Sequence, residues 1–168
     1  MKMKIIRSLA IFAILIANVS CDQISKNVVR QTVNEYQEIA VIKNFMTLTK
    51  VENAGAFLSL GNNLPDAVRF ILLTLVPLIV LGFGIGFLIL RHDLSKIQLT
   101  GFAFVLGGGI GNIYDRLVHG TVTDFLHIDF GIFQTGIFNM ADVSIMTGVL
   151  VVLLESFVKV KVSEEKAE

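Results

Sequence analysis

The sequence predicts a mainly α membrane protein: four transmembrane helices with a small β element lying on the outer membrane surface. Three observations lead there. Of 168 residues, 54% are hydrophobic and only 17% are charged, whereas soluble domains carry about 25% charged residues; the mean hydropathy is +0.73. Four apolar runs each approach the roughly 20 residues that a helix needs to cross a ~30 Å hydrocarbon core. Basic residues gather in three short segments and thin out in the two longer ones between them, the asymmetry that sets membrane orientation.

The first span covers about residues 5–24, the second 70–90, the third 97–113 and the fourth 137–160. Lys2, Lys4 and Arg7 stand at the start of the first, Arg91 and Lys96 between the second and third, and Lys159, Lys161 and Lys166 at the end of the fourth. The positive-inside rule therefore puts both termini in the cytoplasm and the longer segments, about 26–69 and 114–136, outside. Gly101, Gly107, Gly108, Gly109 and Gly111 in the third span would weaken a soluble helix but allow close helix approach in a bilayer. In the outer segments, Ala40–Val51 partly alternates around Lys43-Asn44, as a hairpin does. Leu126, Ile128 and Phe130 alternate with His127 and Asp129 up to Gly131, which predicts a strand beginning after Asp124. No repeat, low-complexity tract or long linker divides the chain, so one domain over 1–168 is expected.

The composition also removes whole classes of function. With 14 basic and 14 acidic residues the net charge is zero, and without a cationic excess no nucleic-acid partner is expected. The single cysteine, Cys21, excludes an intramolecular disulfide and a multi-cysteine metal cluster. His92, His119 and His127 form neither an HExxH motif nor an i, i+4 pair, so no metal and no cofactor are expected. The glycine run at 107–111 lacks the preceding strand and the Gly-Lys-Ser/Thr of a phosphate loop. Val19-Ser20-Cys21 behind a lysine-rich start resembles a lipoprotein leader. Asn18, however, stands where Leu is usual and three more spans follow, so Cys21 reads as a small residue near the end of the first helix.

Ionisable groups near a hydrocarbon core cost about 2.5–3.5 kcal/mol unless paired or hydrated, so each needs a reason. Asp22 precedes Lys26 by four residues, on one helical face, and predicts a structural ion pair. Asn112 and Arg116 share a face at the outer end of the third span, as donors for a substrate carbonyl or a lipid headgroup. Asp124, in Val122-Thr-Asp-Phe125, and Asp142, in Phe138-Asn-Met-Ala-Asp142, fall on the same side of the membrane at similar depth. Two carboxylates at a low-dielectric boundary cannot both ionise cheaply, so they can share a proton. The ionised one can deprotonate a water while its partner donates to a carbonyl, which is aspartic-peptidase chemistry. The same spacing also fits two aspartates that each cap a helix or meet a neighbouring arginine. Ser59 and Cys21 have no histidine partner nearby in sequence, so a nucleophilic mechanism is the weaker expectation.

Five ordered blocks carry a resemblance over nearly the whole chain: Asp22-Gln-Ile-Ser-Lys26, Asn53-Ala-Gly-Ala-Phe57, Gly108-Gly-Ile-Gly-Asn-Ile-Tyr-Asp-Arg116, Val122-Thr-Asp-Phe125 and Phe138-Asn-Met-Ala-Asp142. Together they resemble the lipoprotein signal peptidase, or signal peptidase II, family. The resemblance implies a four-helix bundle in the bacterial inner membrane, with a small periplasmic sheet between helices 1 and 2 and helices 3 and 4 that cradles the substrate. It implies an aspartic endopeptidase that cleaves diacylglyceryl-modified prolipoproteins just before the lipidated cysteine. Asp124 and Asp142 would be its dyad, supported by Asp22, Lys26, Asn53, Gly55, Asn112, Arg116, Asn139 and Ala141. A monomer surrounded by membrane lipids is expected. One departure is Gly55-Ala-Phe-Leu-Ser59 in place of the commoner Gly-Ala-Ala-Phe-Ser, a larger side chain beside the site that bears on substrate or inhibitor preference. Two other classes share some features. A proton-coupled transporter also needs membrane carboxylates, but these cluster at one surface and no two-fold repeat is visible. A non-enzymatic assembly factor on the same scaffold would not need an intact dyad.

Overall fold

Asn18, Asp22, Lys26 and Arg30 recur at every fourth residue, one continuous stripe if the chain is helical. In the computed structural model, which describes residues 2–56 and 60–165 with side chains described only within 5–159, the helix bearing them, α1, runs Lys2–Thr32. It does not end at 24. Its 31 residues reach about 46 Å at the α-helical rise, well past a ~30 Å core. The last turns hold because their charges face other helices: Asp22 and Lys26 are each 0% exposed. Hydropathy ended this span early, since it read bundle-facing charges as water-facing ones.

After α1 come strands β1 (Ile39–Ile42) and β2 (Met46–Asn53), the hairpin expected around Lys43-Asn44. Asn44 takes φ 56 at the turn, a left-handed conformation that asparagine tolerates, and Phe45 N donates to Ile42 O at 3.0 Å. Strand β3 (Val122–Ile128) completes an antiparallel sheet in the order β1-β2-β3. It begins earlier than its alternation predicts, so Asp124 lies within the strand, opposite Val51. The reason is burial on both faces. Val122, Thr123, Asp124 and Phe125 are all buried, and Phe125 packs on Val29 of α1 and on Val33 just beyond its end, so the polar-out half of the pattern is missing.

Helix α2 spans Asp66–Leu90. Its Ile71–Leu75 stretch is a π-helical turn just ahead of Pro77. Proline lacks an N–H and its ring collides with the carbonyl four residues back, and the widened turn absorbs both without breaking the helix. Helix α3 (Lys96–His119) opens on a capping box: Gln98 N donates to Ser95 Oγ at 3.0 Å, and Ser95 N donates to Gln98 Oε1 at 3.2 Å. It runs past the predicted end at 113 and stops at Gly120, φ 79.

The glycines of α3 make it the central helix. A Cβ at Gly107 would meet Asn18 of α1 at 2.8 Å, one at Gly109 would meet Leu81 of α2 at 2.7 Å, and one at Gly108 would strike Ala141 and Ile145. Ala141 and Ile145 belong to α4 (Met140–Glu165). That helix begins later than the predicted 137, because Phe138 is pinned to β3: its N–H donates to Leu126 O at 2.8 Å and its carbonyl accepts from Leu126 N at 2.8 Å. At the far end of the bundle, Arg7 donates to the carbonyls of Leu88 and Arg91, which close α2, a cation at a helix C-terminus. The expectations placed on Phe57, Leu58 and Ser59, and on the side chains of Lys2, Lys4, Lys161 and Lys166, lie outside the described residues.

Candidate active site

A helix N-terminus leaves its first backbone N–H groups without intrahelical partners. At α4 they are met by a reciprocal arrangement: Asp142 N donates to Asn139 Oδ1 at 3.0 Å, and Asn139 N donates to Asp142 Oδ2 at 3.1 Å. Asp142 thus caps its own helix with one oxygen. The other, Oδ1, accepts from Asn112 Nδ2 of α3 at 2.9 Å. Asn139 Nδ2 donates to Asp124 Oδ1 at 2.6 Å and to Asn112 Oδ1 at 3.1 Å, so one asparagine reaches both aspartates. Asp124 Oδ2 accepts from Asn53 Nδ2 at 2.9 Å. Asn53 is itself oriented by Gly55 N, which donates to its Oδ1 at 2.9 Å. Among the described residues neither aspartate has a cation in contact; three neutral amides hold them.

That environment has an electrostatic consequence. Asp124 is 5% exposed. Burial pushes its carboxyl up to about 6 and the Asp142 charge adds to this, while the amides of Asn53 and Asn139 pull partly back.

Both aspartates line a cleft of about 310 Å³, together with the apolar Leu73, Pro77, Leu81 and Ile145 and the polar Asn112 and Arg116. A second hollow of about 630 Å³ runs over the sheet past Thr47, Thr49, Val51 and His127, and reaches the same Asp124 and Asn53. An extended segment passing from the apolar cleft to the sheet would cross Asp124.

Beneath this site the polar groups follow another logic. Lys26 Nζ lies 2.8 Å from Asp22 Oδ2 and 3.0 Å from Asp115 Oδ2, and Arg30 Nη2 lies 2.9 Å from Asp115 Oδ1. Gln23 Nε2 donates to Asp22 and Asp115, at 3.0 Å each. Asp22 Oδ1 accepts from Ala141 N at 2.9 Å, satisfying another first-turn donor of α4. Lys26 also donates to Asn112 Oδ1 at 3.0 Å. An ammonium can only donate, so it fixes which end of that amide is oxygen and turns the Asn112 NH₂ toward Asp142.

All ten residues singled out in the sequence therefore meet here, directly or through one neighbour. Gly55 joins through its carbonyl, which accepts from Arg116 Nη2 at 2.8 Å. Ala141, 0% exposed, joins through Asp22. Asn112 and Arg116, expected as donors to a substrate, are engaged within the protein. Cys21 is exposed on α1. Sequence reasoning missed Gln23, Arg30, Asp115 and Thr123 as supports. For Arg30 the signal was present in the every-fourth-residue spacing from Asn18, and it disappears once the helix is ended at 24.

Residues 14–158 match the family described as signal peptidase (SPase) II. A lipoprotein signal peptidase from Alteromonas mediterranea is 35% identical over 147 residues, covering 88% of this chain and 78% of its own length. Another from Maridesulfovibrio salexigens is 36% identical over 141 residues, covering 83% and 89%. One from Listeria monocytogenes is 33% identical over 147 residues, covering 88% and 92%. A solved structure of a bacterial membrane enzyme shares the fold, with a TM-score of 0.77 at 24% identity over 88% of this chain and 87% of that one. A second gives 0.75 at 25% identity over 87% and 91%. A match over this much of the chain, on a bundle and sheet of the same fold, means that the chain belongs to the signal peptidase II family.

Proposed function

We propose that the protein is an aspartic endopeptidase that removes the signal peptide from diacylglyceryl-modified prolipoproteins, cutting just before the lipidated cysteine. The observation that carries this reading is the pair Asp124 and Asp142, which line one cleft and are linked through Asn139. With the Asp124 carboxyl raised to about 6, the pair can hold one proton well above the ordinary carboxylate range. The ionised carboxylate takes a proton from a water, whose oxygen bonds to the scissile carbonyl carbon while the protonated partner donates to the carbonyl oxygen. Collapse of the tetrahedral intermediate breaks the C–N bond as the leaving amine collects a proton from the dyad. The two titrations belong to the pair rather than to either residue.

The supporting residues divide by task. Asn53, Asn112 and Asn139 fix the carboxylate planes, and the Asp22–Lys26 pair fixes Asn112 and the first turn of α4. Arg116 ties the Gly55 segment beside the cleft. The apolar Leu73, Pro77, Leu81 and Ile145 suit diacylglyceryl chains, and the hollow over the sheet suits the polypeptide. The single chain acts as one domain and as a monomer, a reading supported by both aspartates and the described cleft residues lying in one chain. Both termini lie in the cytoplasm and the site near the outer face. Supporting this orientation, Arg7, Arg91 and Lys96 gather at the end of the bundle opposite the sheet.

The test is cleavage of a purified diacylglyceryl-prolipoprotein and of its unlipidated precursor, with products identified by mass. Wild type should cut only the lipidated form, immediately before cysteine. Asp124→Asn and Asp142→Asn should each lose cleavage while unfolding at an unchanged temperature. Near-wild-type turnover by either folded variant would sink the dyad.

A further inference from the structure

At the end of the bundle opposite the sheet, the described side chains include four cations: Arg7, Arg91, Lys96 and Lys159. Two of them are matched. Arg91 lies 2.6 Å from Asp93, and Lys159 lies 2.8 Å from Glu155. Asp93 feels the Arg7 charge, but it gives both carboxylate oxygens to Arg91, at 2.8 and 2.6 Å. Arg7 and Lys96 have no ion-pair partner among the described residues.

These two unmatched cations line the same groove. It lies between α1 and α3, holds about 440 Å³, and is otherwise walled mostly by apolar side chains, among them Ile6, Ala10, Ile14 and Leu99. Arg7 Nη2 is engaged by the carbonyls of Leu88 and Arg91, whereas its buried Nε has no hydrogen-bond partner. Both walls belong to helices long and apolar enough to cross a membrane, so the groove opens onto lipid.

We propose that this groove seats one anionic diacyl phospholipid, its phosphate between Arg7 and Lys96 and one acyl chain along Ile6, Ala10, Ile14 and Leu99. Charge complementarity selects the headgroup. Two cations at the rim without an ion-pair partner among the described residues favour a lipid with net negative charge over a zwitterionic one, which would bring its own cation to the same place. The apolar walls select a lipid over a free anion. Bound there, the lipid joins the start of α1 to the start of α3, far from the aspartates, in the leaflet that receives the amino terminus.

The full-length protein in detergent would be titrated with phosphatidylglycerol, phosphatidylcholine or inorganic phosphate, with retained lipid read by native mass spectrometry and Tm followed in parallel. Phosphatidylglycerol should be retained about twenty-five-fold better than phosphatidylcholine, each cation contributing a factor of about five. Lys96→Gln should weaken that retention about five-fold. Ala10→Phe fills the groove without changing charge and should remove retention, while both variants cleave substrate at the wild-type rate. Equal retention of the two lipids overturns the proposal. So does phosphatidylglycerol retention that survives either substitution, or inorganic phosphate that reproduces the stabilisation.

Discussion

Two groups of carboxylates sit side by side in this bundle, joined by Asn112, and are solvated by different means. In one, Asp22 and Asp115 meet Lys26 and Arg30, two negative charges against two positive. In the other, Asp124 and Asp142 meet only the amides of Asn53, Asn112 and Asn139 and one backbone N–H. Both sets of lone pairs are satisfied, so hydrogen bonding does not separate them. Charge balance does. Carboxylates matched by Lys26 and Arg30 tie helices together, whereas Asp124, held by neutral amides, keeps a reason to bind a proton. Burial of Asp124 without a counter-charge is what raises its carboxyl, and it is this feature that the proposed dyad would use.

Exchanging the same atom in the two groups tests this distinction most directly. Asp124→Asn should lower cleavage by about 10²–10⁴-fold, the scale of lost general acid–base catalysis, and leave the unfolding temperature unchanged or raised. Asp115→Asn should do the reverse in stability, stranding Lys26 and Arg30 with one carboxylate between them. If Asp124→Asn unfolded the protein and Asp115→Asn did not, the roles assigned to the two groups would be exchanged.

Lys26→Met presses on the balanced group alone. It leaves Asp22 and Asp115 buried with only Arg30, and breaking a buried pair in this way destabilises by about 3–5 kcal/mol, readable as a fall in Tm in detergent. Adding Asp22→Asn to Lys26→Met should recover part of that loss, because it restores neutrality. Cleavage should stay low in both, since the Asn112 amide loses the donor that orients it. Full stability in Lys26→Met would mean that the four charges are not a structural unit.

How far these groups were legible in the sequence follows from the same contrast. The four spans could be read because lipid-facing residues are apolar whatever their partners, and the aspartates of the second group because acids beside apolar residues demand an explanation. The balanced group was half hidden. Arg30 was assigned to an outer segment because Lys26 and Arg30 look like water-facing residues, yet Lys26 is fully buried among partners that hydropathy does not register. Thr123 was missed for a related reason: β3 is covered on both faces, so its alternation is visible only from Leu126 onward. The role of Asn139 depends on which amide proton points where, and no spacing in the chain carries that.

A pH titration gives a smaller but signed effect. The Asp124 carboxyl rises from 3.8 to about 6 on folding, so between those values the folded chain holds a proton that the unfolded chain has released. Stability should therefore fall as pH rises through this window and level off above about 6. Asp124→Asn should flatten that slope. Cleavage should follow a bell, since the dyad needs one proton, with its basic limb starting near 6. A stability profile that rises across this window would put the uncompensated burial elsewhere.

The smallest effect is expected at Thr123, on the face of β3 turned away from Asp124. Its hydroxyl accepts from Arg30 Nε at 2.7 Å and donates to Glu52 Oε1 at 2.9 Å, while its backbone N–H donates to Asp115 Oδ2 at 3.3 Å. Thr123→Val keeps the shape, the strand propensity and the backbone bond, and removes only the hydroxyl. Arg30 keeps its ion pair with Asp115 and is 20% exposed, so water can take over part of the lost contact. The expected loss is about 1 kcal/mol of stability, read by thermal or denaturant unfolding, with the rate and pH profile of cleavage unchanged. Successive residues of a strand face opposite sides, and that alternation is what separates the two groups across β3. A shift in the cleavage pH profile of Thr123→Val would show that a neutral change in the balanced group reaches the Asp124 proton. The two groups would then be one electrostatic network, with Asn112 coupling them rather than merely standing between them.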